Sequence, residues 1–132
     1  MRWRILLAGI ALAGIAAGPA TANITVELSF ERKLAESEIV IVGTVTAAAQ
    51  GTATVRVLNA LKGAPGQEVI VSTTSRIAED NPNCCVMGST YVMFLRRGRD
   101  PVLYHSVNAF YGMVEIGSAQ GTRIEVIPAN RF

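Results

Sequence analysis

The sequence predicts a mostly β domain, a closed or nearly closed antiparallel barrel of short strands entered by one short helix. Three observations predict it. Apolar runs rich in β-branched residues recur at close spacing from Ile39 to Ile127, broken by turns rich in glycine, proline and charge. Only one stretch, Phe30 to Glu36, carries helical spacing. The residues before it have the composition of an export leader. Many short strands with one helix favour a closed barrel. The helix-first order leaves a two-sheet sandwich as the alternative fold.

The leader comes first. Arg2 and Arg4 form a positive start, Ile5 to Ala17 is apolar and uncharged, and Gly18-Pro19 breaks the run. Ala20-Thr21-Ala22 is a small-x-small cleavage site. The apolar run is shorter than the roughly 20 residues a membrane span needs. Residues 1–22 are therefore expected to be a cleaved signal peptide, the alternative being an uncleaved anchor. Residues 23–132 then form a single domain without a transmembrane segment, in the periplasm or secreted. The whole chain has 12 Lys+Arg against 10 Asp+Glu, a net of +2. Without Arg2 and Arg4 the basic and acidic residues balance. A neutral domain has no long-range attraction for nucleic acid or anionic membrane. Its 110 residues suffice for one apolar core.

In the mature chain, Phe30 and Leu34 share one helix face, charges take the rest, and Ser29 can cap the first turn, so a helix is expected over Phe30–Glu36. "EIVIVGTVTA" is a β-branched strand whose central Gly43 marks a bulge or bend. "TATVRVLNAL" alternates, with Ala53, Val55 and Val57 on one face and Thr54 and Arg56 on the other. "KGAPGQ" is a loop, and "EVIVSTT" a third strand. A polar connection, "SRIAEDNPNCCVMG", leads to "STYVMFL", the fourth strand; "RRGRDP" is a charged turn and "VLYHSVN" the fifth. "GMVEI" and "TRIEVI" read as a final hairpin. Val55, Val57, Val69, Val71, Val92 and Phe94 are the expected core.

Taken in order, "ESEIVIVGTVTAA", "ATVRVLNALKG", "GQEVIVSTT", the cysteine loop and "GSTYVMFL" resemble the netrin-like, or tissue-inhibitor-of-metalloproteinase-like, family. Its phrases correspond to Ser37–Val45, Val57–Gly63 and Cys84–Leu95, and the likeness covers Phe30 to Leu95. The resemblance implies an OB-like barrel in a secreted protein, here a bacterial-type member. The animal inhibitors start their mature chain with a cysteine whose amine and carbonyl chelate the protease zinc. Here the expected start is Asn23, with no cysteine near it. The family's several disulfides are missing too. Protease inhibition is thus a distant second alternative for function.

The two cysteines, Cys84 and Cys85, are adjacent. Adjacent Cα atoms stand about 3.8 Å apart, whereas ordinary disulfides prefer roughly 4.4 to 6.8 Å. A bond between neighbours also closes almost no loop and adds little stability. Four readings stand. One cysteine points into the barrel as a small apolar residue while the other lies in the loop; the two form a vicinal disulfide; one bonds another chain; or the pair binds a soft metal such as copper(I) with His105. No Cys-x-x-Cys spacing is present.

Other residues have ordinary readings beside functional ones. His105 has no evident catalytic partner, and Tyr104 faces the other side of its strand. Ser72, Ser75 and Ser89 lie in no nucleophile-elbow context. Glu36 and Glu38 are read as a solvated junction rather than an acid pair. Arg96, Arg97 and Arg99 are read as a soluble turn that discourages edge pairing, rather than a contact patch. Phe110 and Tyr111 are read as a cap on the barrel end, the alternative being an exposed aromatic contact.

One histidine and two cysteines assemble no nucleophile–base pair, so an enzyme is not expected, nor a cofactor. The expectation is a non-enzymatic protein-interaction domain binding another envelope or extracellular protein through an exposed barrel face or a loop, the loop from Ser75 to Met87 being preferred. The alternative is a small-ligand or copper-type protein using Cys84, Cys85 and His105.

Overall fold

A computed structural model describes residues 25–118. Residues 1–22, the expected signal peptide, and "TRIEVI", the expected last strand, lie outside the described residues. Helix α1 (Phe30–Glu36) precedes six strands: β1 (Ile39–Ala49), β2 (Thr52–Lys62), β3 (Glu68–Ser72), β4 (Thr90–Arg97), β5 (Leu103–Ser106) and β6 (Met113–Gly117). Helix α1 has the expected bounds, and Ser29 caps it by accepting from the Arg32 amide. No helix among the described residues is long and apolar enough to cross a membrane.

The strands run in the order β1-β2-β3-β5-β4, and β4 returns to β1. They close a five-stranded OB-like barrel. One feature of the expected antiparallel barrel is corrected: β3 and β5 pair in parallel, Ile70 beside Leu103 and Val71 beside Tyr104. The reason is parity. Each of β1–β2, β2–β3, β1–β4 and β4–β5 is antiparallel. In a ring of five strands the last pair must then point the same way. Strand β6 lies beside β4 from Thr90 to Met93, where β5 has already diverged.

Gly43 sits at a register shift between β1 and β2. A Cβ there would stand 2.4 Å from Val55 Cγ1 and 3.0 Å from the Arg56 carbonyl oxygen. The expected bend is therefore a close approach of two strands that only glycine permits.

Alternation along the strands builds two cores. Ile39, Ile41, Val45, Val55, Val71, Tyr91, Met93 and Leu95 fill the barrel interior. Val40, Val92, Phe94 and Val107 form a second cluster, with Leu34 of α1 packed against it. Every expected core position is buried except Val57, which is partly buried. Val92 and Phe94 lie in the second cluster, outside the barrel, because β4 is covered on both faces. Helix α1 closes that outer core. Phe30 meets Phe94 edge to face at 6.0 Å. Lys33 is fully buried, and its Nζ donates to Glu27 Oε1 at 3.2 Å and to the Tyr111 carbonyl at 3.1 Å. That ammonium lies 5.7 Å from the Phe94 ring centroid, within cation–π range.

Candidate interaction site at the cysteine loop

The connection from β3 to β4 is longer than any other in the barrel, and it carries both cysteines. Its polar composition disfavours regular pairing, so side chains and barrel backbone hold it. It starts with the Thr73 amide on the Gly51 carbonyl at 2.9 Å. The Ser75 amide donates to Asn81 Oδ1 at 2.7 Å, which folds the segment around the 3₁₀ turn Ala78–Asp80. Thr25 Oγ1 donates to Asp80 Oδ1 and ties the turn to the start of the described chain. Pro82 is buried. At the far end the Gly88 amide donates to the Val45 carbonyl at 2.8 Å.

Cys84 and Cys85 are bonded to each other across a cis peptide. Both are half-buried and pack against the barrel core. Of the four readings, the structure has the vicinal bond, and both cysteines rather than one pack against the core. The next residues turn outward, Val86 58% and Met87 57% exposed. The Val86 amide donates to the Tyr91 phenol oxygen at 2.9 Å. Burial raises the Tyr91 phenol above its ordinary range, against the lowering effect of that hydrogen bond. Tyr91 therefore stays a neutral anchor beneath the loop. It was not singled out from the sequence, although its signal was there. A tyrosine entering an apolar strand needs a partner for its hydroxyl.

Beside the loop lies a hollow of about 360 Å³, lined by Asn83, Phe110, Met113, Val114 and the carboxylates Glu27 and Glu115. Phe110 is 48% exposed and meets Tyr111 edge to face at 5.5 Å. Tyr111 is less exposed than Phe110. In the chain, the disulfide separates Asn83, which lines this hollow, from the exposed pair Val86 and Met87.

The other singled-out residues are placed elsewhere. Among the described residues no three His, Cys, Asp or Glu side chains converge to hold a metal ion, so Cys84, Cys85 and His105 are not brought together. His105 faces outward opposite Arg96, while Tyr104 packs on the barrel core. The hydroxyls of Ser72 and Ser75 donate to the backbone carbonyls of Thr74 and Ile77. Glu36 pairs with Arg32 and Glu38 with Arg97, so the two carboxylates serve separate ion pairs. Arg97 also lies over the Tyr104 ring at 5.6 Å.

No protein-family model matches this chain, and no curated protein is significantly similar to it.

Proposed function

We propose that this chain is an exported, non-enzymatic protein-interaction domain of the netrin-like, inhibitor-like kind. It works in the periplasm or envelope and binds another envelope or extracellular protein through the cysteine loop. One observation carries the reading: Val86 and Met87 are presented to solvent by a segment fixed on both sides. The disulfide precedes them, the Tyr91 phenol holds the Val86 amide, and the Val45 carbonyl holds the Gly88 amide. A fixed apolar contact loses little conformational freedom on binding, which favours affinity. Metalloprotease inhibition is not part of the proposal, because the expected mature chain lacks the amino-terminal cysteine that would chelate the zinc.

The test is site-specific photo-crosslinking in the exporting cell. A photoreactive residue at Met87 is expected to give a discrete adduct, and one at Gln67, exposed on the β2–β3 loop, none. Val86→Asp should remove the adduct while leaving the fold intact. Equal labelling from both positions would refute the loop as the contact. Export is checked separately, since the intact mass of the exported protein should begin at Asn23.

A further inference from the structure

We propose that the hollow on the outer face of β5 binds a small carboxylate ligand through Arg96 and His105. Register brings the two together. Arg96 of β4 stands directly opposite His105 of β5. Their chain neighbours Leu95 and Tyr104 pack on the barrel core, so both side chains project from the outside of the barrel. Residues of the cysteine-loop connection line an open hollow of about 290 Å³ together with them.

This hollow is polar, its lining including Ser72, Thr74, Asp80 and Asn108 beside the two strand residues. Most of those polar groups are already engaged. The Ser72 hydroxyl donates to the Thr74 carbonyl at 2.9 Å, and Asp80 accepts from Thr25. Asn108 accepts from the Leu28 amide at 2.7 Å and donates to the Val26 carbonyl at 2.9 Å. Arg96 and His105 are different. Neither side chain has an ion pair or hydrogen-bond partner among the described residues. By contrast Arg32, Lys33 and Arg97 each have a carboxylate. Two N–H donor groups, side by side and uncommitted in one open hollow, fit an oxyanion.

The lining narrows the class. A guanidinium matches a carboxylate through two parallel N–H···O bonds, and the imidazole adds a third donor. Asp80 in the same hollow opposes a ligand with several negative charges, which disfavours a phosphate dianion and permits a monocarboxylate. The volume falls just below the range of about 300 to 1,000 Å³ for drug-sized ligands, so the ligand has the size of a simple organic acid.

The test is a titration of the full mature protein followed by the side-chain NMR signals of His105 and Arg96. Sodium acetate and sodium lactate are the probes, with inorganic phosphate as a parallel arm at matched ionic strength. Acetate or lactate should shift both residues saturably, with a Kd on the order of 1 to 10 mM. Arg96→Gln should weaken binding about tenfold or more, while Arg99→Gln, exposed and outside the hollow, should leave it unchanged. Non-saturating shifts, equal loss in both variants, or tighter binding of phosphate than of acetate would overturn the proposal. Should Arg96→Gln fail to fold, His105→Gln read in the same way decides it.

Discussion

Replacing Phe94 with alanine probes the outer core. The ring is fully buried among Val40, Val92, Val107 and Leu34. It also meets Phe30 edge to face and lies beneath the Lys33 ammonium. Removing a buried phenyl ring costs about 3 to 5 kcal/mol, transfer and cavity together. The aromatic contact, about 0.5 to 1.5 kcal/mol, places this site in the upper half of that range. At a urea slope of about 2 kcal/mol per molar, the unfolding midpoint should fall by roughly 2 M. A second readout locates the damage. Helix α1 rests on this cluster, so its amides should lose hydrogen-exchange protection more than those of β2 and β3. Met93→Ala, one residue away but inside the barrel, should unprotect β2 and β3 as well. A loss below about 1 kcal/mol for Phe94→Ala, or equal loss of protection in α1 and β3, would refute the division into two cores.

The Cys84→Ala/Cys85→Ala double variant should keep its circular dichroism spectrum and lose no more than about 2 kcal/mol, because a bond between neighbours hardly restricts the unfolded chain. Failure to fold would show that the loop is needed for barrel closure. Gly112→Ala should fold poorly, since a Cβ there would stand 1.9 Å from the Val107 carbonyl oxygen, and thermal melting would register it. The Glu38 carboxyl is held below its ordinary range, first by the Arg97 amide and then by the Arg97 guanidinium. A lowered folded value means that this contact stabilises the fold above the ordinary carboxylate range and is lost as pH falls through the lowered value. Carboxyl NMR should show Glu38 titrating below the ordinary carboxylate range and moving toward it in Arg97→Gln.

The fold was legible where side-chain pattern and local chemistry agree. Ser29 with the Phe30–Leu34 spacing located α1, and the alternation Ala53–Val55–Val57 marked the inward face of β2. Two things were hidden. The parallel β3–β5 pair comes from ring closure, a property of the whole strand set that no single strand carries. The outward burial of Val92 and Phe94 was hidden because "YVMFL" is apolar at every position, so periodicity cannot tell one covered face from two. The site was legible in part. The cysteines drew attention to the loop, but the exposure of Phe110 depends on tertiary context. The uncommitted state of Arg96 and His105 depends on which carboxylates go elsewhere, and only the fold shows that Glu38 reaches Arg97 rather than Arg96.

Strand β4 touches β1 on one edge and both β5 and β6 on the other, and it belongs to both cores. This has a kinetic consequence. The β1–β2 and β2–β3 pairs are near in sequence and can form as soon as those residues leave the ribosome or translocation pore. They make a curved, three-stranded ribbon whose β1 edge, from Ile39 to Thr44, has no partner until β4 is delivered. For that interval the ribbon offers a sticky apolar edge to any other nascent copy. Arrival of β4 covers the β1 edge and provides the seat for α1, and β5, which lies between β4 and β3, then closes the barrel, so folding should be gated by chain delivery rather than by local structure. Slowing synthesis between Ser72 and Thr90 should therefore raise aggregation, whereas slowing it after β6 should not.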